Sequence, residues 1–338
     1  MVTAYRKERL DRGIKARSDD IFALSSWREC LYLLLPRVLP ILALLAAPLV
    51  VGEYWTTVIV IAAVFAIVAL SWDFIHAAGM ISLGHGLFFG LGAYSSGALN
   101  HYFGINPIIS IPAGALIGGL ISTGLLAGVL RLRGIYFGMV TFALSLMMIR
   151  IIEATHIFNG NEGLSGLTPF PNLYLKVYIA LILVIVCLFG FRRLLGSDFG
   201  LVLRGIEQND RSVMSAGINI YFFKIQALFI GATVAALAGA FMAHHTRIAG
   251  PSSFGLEYSI MPIAMTVVGG TGTLAGPVVG AFLLTPISEI MRAFGAWRIV
   301  FYSAIMAFFV VVVPEGIFHY LQRRYHQFER KVTVEAKK

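Results

Sequence analysis

The residues that could do chemistry are few and scattered. Gly270-Thr-Gly272-Thr-Leu-Ala275 has the spacing of a dinucleotide-phosphate turn, and Glu289 lies near the acidic position such a turn needs. Pro277 follows at once, and no alternation of strands and helices surrounds the run, which excludes that site. No GxxxxGK[ST] run occurs and no lysine follows a glycine, so the chain carries no ATP-binding loop of its own. His244-His245 has no further ligands at metal spacing. Cys30 and Cys187 make neither a CxxC pair nor a disulfide scaffold. No nucleophile is paired with a base, so no catalytic residue and no metal ligand is assigned. What remains are ionisable groups inside apolar runs: Asp73, His76 and His85, and Glu153 with His156 beside Asn159-Gly160-Asn161-Glu162-Gly163. Asp73 with His76 reads most simply as a pair at an interface, and the second group either as an ordinary polar turn or as a contact for a delivered substrate or a binding protein.

The elements that carry these groups are membrane helices. Of 338 residues, 58% are hydrophobic and 13% charged, about half the usual charged share. A soluble chain of this size could not cover its surface so sparsely. A spanning helix needs about 20 mostly apolar residues. Candidates are 38–51 (extended upstream to 31), 54–71, 80–99, 107–130, 134–152, 174–191, 225–243, 258–290 and 299–313. None alternates like a barrel strand. The fold class is all-α, a polytopic bundle of eight to ten transmembrane helices. Gly86/Gly90, Gly114/Gly118, Gly124/Gly128 and Gly231/Ala235/Gly239 stand at the spacing that lets helices approach closely in lipid. The charged start, residues 1–30, reads as a solvated tail rather than a signal peptide.

Lysine and arginine set the orientation. Residues 1–40, Arg131 with Arg133, residues 192–224 and residues 323–338 hold 21 of the 26 cations. All four segments are therefore expected on the cytoplasmic side, with both termini inside. Parity then requires 258–290 to begin and end outside. It must be a hairpin broken at Gly269-Gly270-Thr271-Gly272-Thr273, either two short spans or a re-entrant pair.

The segment 196–224, GSDFGLVLRGIEQNDRSVMSAGINIYFFK, reads as two short helices with Asp198 and Asp210 as N-caps and Gly217 as the stop. Leu201, Ile206, Val213 and Met214 give apolar anchors on polar helices. So long a cytoplasmic loop suits a coupling element seated on a partner.

This segment resembles the cytoplasmic loop of the inner-membrane permeases of branched-chain amino acid ABC importers. Gly200, Arg204, Ile206, Gly217, Ile218, Asn219 and Lys224 match that pattern, whereas Gly205 and Ser215 replace its usual alanine and leucine. Residues 79–99 look like the family's third span, with Ser82, Gly84, His85, Phe88 and Tyr94 in place. Residues 133–145, 158–167 and 250–281 match its fifth span, the following outer turn and the Gly-rich hairpin. Residues 72–80, WDFIHAAGM, depart from the family's Gly-Tyr-x-Gly segment, and the last span follows the pattern loosely.

The resemblance implies a permease domain over 31–318, with a coupling loop at 192–224 and a C-terminal tail at 319–338. It implies a second permease chain in a heterodimer, two cytoplasmic ATPases and a periplasmic or lipoprotein solute-binding protein in a bacterial inner membrane, with no nucleic acid. ATP and magnesium would be used by the ATPases, and no cofactor is bound directly. The coupling residues would be Gly200, Arg204, Ile206, Glu207, Asp210, Gly217 and Lys224. The translocation path would involve His85, Phe88, Tyr94, Asn161, Glu162, Gly269, Gly270, Thr271 and Gly272. The competing reading is a stand-alone secondary transporter or channel. It lacks paired membrane carboxylates and leaves the long basic loop without a purpose. An integral membrane enzyme fares worse, for want of a catalytic cluster.

Overall fold

A computed structural model describes residues 5–9, 27–132, 134–292, 295, 300, 304, 307–309, 316–326 and 329–333, with side chains between 38 and 321. The described chain is almost all helix: α1 (Trp27–Val50), α2 (Glu53–His76), α3 (His85–Phe103), α4 (Pro107–Ala127), α5 (Ile135–Thr155), α6 (Leu173–Leu195), α7 (Asp198–Ser215), α8 (Ile220–Thr246), α9 (Glu257–Gly269) and α10 (Ala275–Met291). A 3-10 turn, Gly128–Arg131, extends α4, and a last helix covers Ile317–His326. Among the described residues, α2, extended α4, α5, α6 and α8 are long and apolar enough to cross a membrane. Val38–Val50 and α10 are shorter apolar helices. Most of the expected span at 299–313 and much of both tails lie outside the described residues.

Side chains fix several helix ends. Asn106 caps α4 by accepting from the Ile108 amide at 3.1 Å, with Pro107 in the first turn. Asn219 caps α8 by accepting from the Phe222 amide at 3.2 Å. The expected helix at 80 begins instead at His85. Gly79 turns the chain with φ +71°, and 80–84 folds back into the bundle. Its polar groups find partners there. The Trp72 indole donates to the Ser82 carbonyl at 2.7 Å, and the Leu83 amide donates to Thr141 Oγ1 at 3.2 Å.

α2 is the central pillar. It is apolar on every face, and every residue from Ala62 to Ile75 is buried. Buried residues make up 89% of its apolar window, against 28% for α5 and for α6, so those two are peripheral. The tightest packing joins α3, α4 and α8, where small residues replace side-chain contact with backbone contact. A methyl group on Gly118 would lie 2.8 Å from the Gly92 nitrogen of α3. Gly239 of α8 lies directly on the Phe89 carbonyl of α3. The glycine pairs thus separate by use: Gly114/Gly118 is filled from within the chain, whereas Gly124 and Gly128 face open space.

The bundle has two distinct ends. The C-termini of α2, α4 and α6 meet α7 and the start of α8 at the end carrying Arg131, Arg192, Arg193, Arg204 and Arg211; there Tyr221 OH donates to the Ala127 carbonyl at 2.7 Å. At the opposite end β2 (Leu164–Ser165) pairs antiparallel with β3 (Ile248–Ala249). His244 ties that end together. Its Nδ1 lies 2.9 Å from the Thr168 carbonyl, and its Nε2 lies 3.0 Å from Ser96 Oγ and 3.1 Å from Ser110 Oγ. The chain ends also meet: β1 (Tyr5–Arg9) pairs antiparallel with β4 (Glu329–Thr333).

Candidate functional site

α7 is the polar helix at the basic end. It is one element kinked at Asn209 (φ −159°, ψ 95°), so the two expected short helices are joined end to end. The expected caps shift by one residue. Ser197, not Asp198, occupies the first cap position, and Asp198 opens the helix, where its charge suits the positive end. Asn209, not Asp210, caps the second half, accepting from the amides of Arg211 and Ser212 at 3.1 and 3.3 Å. Gly217, with φ +80°, ends the helix as expected. Its amide donates to the Met214 carbonyl at 2.9 Å and that of Ile218 to the Val213 carbonyl at 3.4 Å, a Schellman closure.

The buried side of α7 is the stripe Gly200, Leu203 and Ile206, spaced three apart. Gly200 sits against the Leu195 backbone, which allows the tight α6–α7 turn. Leu203 and Ile206 are 0% and 3% exposed. Leu201 and Met214 do not anchor α7 to its own bundle. They lie round the helix from the stripe and are 71% and 57% exposed. Leu203 was missed, although its spacing from Gly200 and Ile206 carried the signal. Arg204 and Glu207 are exposed, and Asp210 is half-buried. Beyond α7, a groove of about 330 Å³ is lined by Arg131, Asp210, Met214, Tyr221 and the buried Lys224.

The underside of α7 bears on the α2–α3 turn. Glu207 Oε1 lies 3.9 Å from His76 Nε2, an ion pair when the imidazole is protonated. Gly79 packs on the backbone of Ile206 and Glu207. His76 stacks on Trp72, with ring centroids 5.1 Å apart. Asp73 does not pair with His76 alone at an interface; it is 1% exposed, and its carboxylate takes the amides of Gly272 and Leu274 at 2.7 and 3.1 Å.

Those amides belong to the glycine-rich break. The break runs from Gly270 to Leu274 between α9 and α10, so the nucleotide-like spacing falls on a helix–helix turn. Its partners along α2 give its depth. Tyr258 stacks on Phe65 at 5.7 Å, Thr266 Oγ1 donates to the Ala69 carbonyl at 3.4 Å, and the tip reaches Asp73. α10 then returns until Glu289 accepts from Tyr54 OH at 2.8 Å. α9 thus covers about half of α2, and α10 nearly all of it. Gly269 and Gly270 are buried at the tip, whereas Thr271 and Gly272 are exposed.

The remaining candidates lie apart from this cluster. His85 is fully buried, with Nε2 3.4 Å from Ser71 Oγ and its ring edge-on to Phe88 at 5.0 Å. Tyr94 is packed between Phe158 and Phe254, with centroids 5.5 and 5.7 Å away. Asn161 and Glu162 are exposed at the opposite end. Glu153 pairs with Arg150 at 2.8 Å. Among the described residues no three His, Cys, Asp or Glu side chains are grouped as a metal site would need.

Residues 54–314 match the family described as the permease component of branched-chain amino acid transport systems. The chain belongs to that family. It is 26% identical to the high-affinity branched-chain amino acid transport system permease protein LivM of Escherichia coli, over 90% of this chain and 80% of that one. It is 28% identical to LivM of Salmonella typhimurium, over 71% of this chain and 64% of that one, just under two thirds of that relative's length. A tyrosine transport system permease protein of Clostridioides difficile is 26% identical over 53% of this chain and 62% of its own length. No solved structure matches.

Proposed function

We propose that this chain is the membrane-spanning permease subunit of an ABC importer for branched-chain amino acids or a related small polar solute. The observation that carries the reading is α7, a polar helix held under the bundle by Leu203 and Ile206 while it presents Leu201, Arg204 and Met214 outward. An exposed leucine and methionine on a charged helix suit insertion into a groove of another protein. With no phosphate-binding loop of its own, the chain would take its driving force from two ATPases bound at that end, which would be the cytoplasmic one. Gly200, Arg204, Ile206, Glu207, Asp210, Gly217 and Lys224 would form or support that contact. The peripheral position of α5 leaves an apolar groove of about 430 Å³ along Tyr136, Met139, Ala143 and Met147, a surface for a second permease chain. A solute-binding protein would dock at the opposite end, near Asn161 and Glu162.

The test is reconstitution of the chain with a second permease, ATPases and a binding protein in proteoliposomes. ATP-dependent uptake that is lost on deleting 204–214, with the deleted chain still in the membrane, supports the reading. Uptake that needs no ATP and persists after the deletion refutes it and favours a stand-alone transporter.

A further inference from the structure

Asp73 stands out because neither helix packing nor the α7 contact requires a carboxylate there. It lies one turn from the end of α2, 1% exposed, inside an otherwise apolar helix. Both oxygens are in use: Oδ1 accepts from the Gly272 amide and Oδ2 from the Leu274 amide. Leu274 is the N-cap of α10, so the carboxylate also meets the positive end of that helix. Leu274 holds φ +59°, a conformation that a side-chain-bearing residue keeps only when its surroundings impose it. The turn is held from two further sides. Thr273 Oγ1 donates to the Gly270 carbonyl at 2.8 Å, and Gly316 packs on Gly270.

On the same face of α2, three residues along, His76 faces Glu207 of α7. Gly79 then seats the turn on the α7 backbone, where a methyl group would stand 3.3 Å from Glu207 Cα. A single helix end therefore touches both α7 and the glycine-rich tip.

We infer that Asp73 is a positioning residue that fastens the α9–α10 tip to the end of α2, so that movement of α7 against His76 and Gly79 shifts the tip. The inference rests on the permease reading proposed above and names the route by which the motor's motion reaches the broken hairpin. Contiguous hydrogen-bonded and packed contacts of this kind are one physical carrier of such coupling. The α2 part of the relay, Asp73, His76 and Gly79, lies within 72–80, where this sequence departs from the family pattern.

The test uses the complete importer in proteoliposomes and reads solute uptake and ATP hydrolysis together. Asp73→Asn leaves one acceptor and turns an N–H2 group toward an amide, so one of the two bonds must break. The expected result is normal assembly, ATP hydrolysis within about twofold of wild type, and uptake per ATP reduced at least tenfold. Glu207→Gln, at the exposed end of the relay, should lower uptake per ATP in the same direction. The double variant should be no worse than Asp73→Asn alone, because two breaks in one chain do not multiply. If Asp73→Asn fails to assemble, His76→Gln and Glu207→Gln carry the test, and normal coupling in both overturns the inference. Unchanged uptake per ATP in assembled Asp73→Asn complexes also overturns it, leaving Asp73 a structural residue. Absence of ATP-driven uptake by the wild-type assembly overturns the permease reading, and this inference with it.

Discussion

Placing a methyl group on Gly114 should separate α4 from α3, while the same change ten residues on should not. An added Cβ at Gly114 would stand 2.6 Å from Ser96 Cα and Cβ. Carbon atoms rest about 3.5–4.0 Å apart, so the helices must part by about 1 Å. Ser110 Oγ of α4 lies 3.3 Å from Ser96 Oγ of α3 and 3.1 Å from His244 Nε2 of α8, and moving α4 away by that much carries both beyond hydrogen-bonding range. Overpacking costs about 2 kcal/mol. The two weakened buried bonds add about 1 kcal/mol each. The better helix propensity of alanine returns about 1 kcal/mol. The net loss for Gly114→Ala is about 3 kcal/mol, roughly a hundredfold in the folding equilibrium. Gly124 on the same helix has nothing within 4 Å, so Gly124→Ala should gain about 1 kcal/mol or less. Denaturant or thermal unfolding of the purified chain in one detergent reads both. Midpoints shifted in the same direction by similar amounts in the two variants would contradict a close α3–α4 contact at Gly114.

Further outcomes follow from the same packing. His244→Ala strips partners from the Thr168 carbonyl and two buried serines, so it should cost about 3 kcal/mol and speed proteolysis of 160–172; an unchanged cleavage rate contradicts the tie. Phe254→Ala removes a fully buried ring that lies over Gly90 and against Tyr94, which should cost about 3–5 kcal/mol by unfolding midpoint. Gly90→Ala should be destabilising alone but much less so beside Phe254→Leu, and a double-mutant cycle with zero coupling would contradict that contact.

Most helices were readable in the sequence because long apolar runs and their basic flanks report lipid depth directly. The break at 269–273, found there by charge parity, is the turn between α9 and α10. Register within polar segments was less readable. Asp198 and Asn209-Asp210 offer adjacent capping side chains, and only the kink at Asn209 decides between them. Leu201 and Leu203 are equivalent in composition, and the stripe with Gly200 and Ile206 decides which is buried. Asp73 and His76 suggested a local pair because sequence shows only near neighbours. The partners of Asp73 are about 200 residues away in the chain, at a distance no spacing rule reports.

The outward face of α7 can be probed directly by chemical capture. With Cys187 buried and Cys30 replaced, a single cysteine is placed at Leu201 or at Leu203 and a short bifunctional cross-linker is added to the assembled complex. Leu201→Cys should link to an ATPase subunit, in lower yield when the cross-linker is added during ATP turnover, while Leu203→Cys should stay unlinked. Equal linking at both positions, or none at Leu201 in a complex that still transports, would contradict a permease driven through α7.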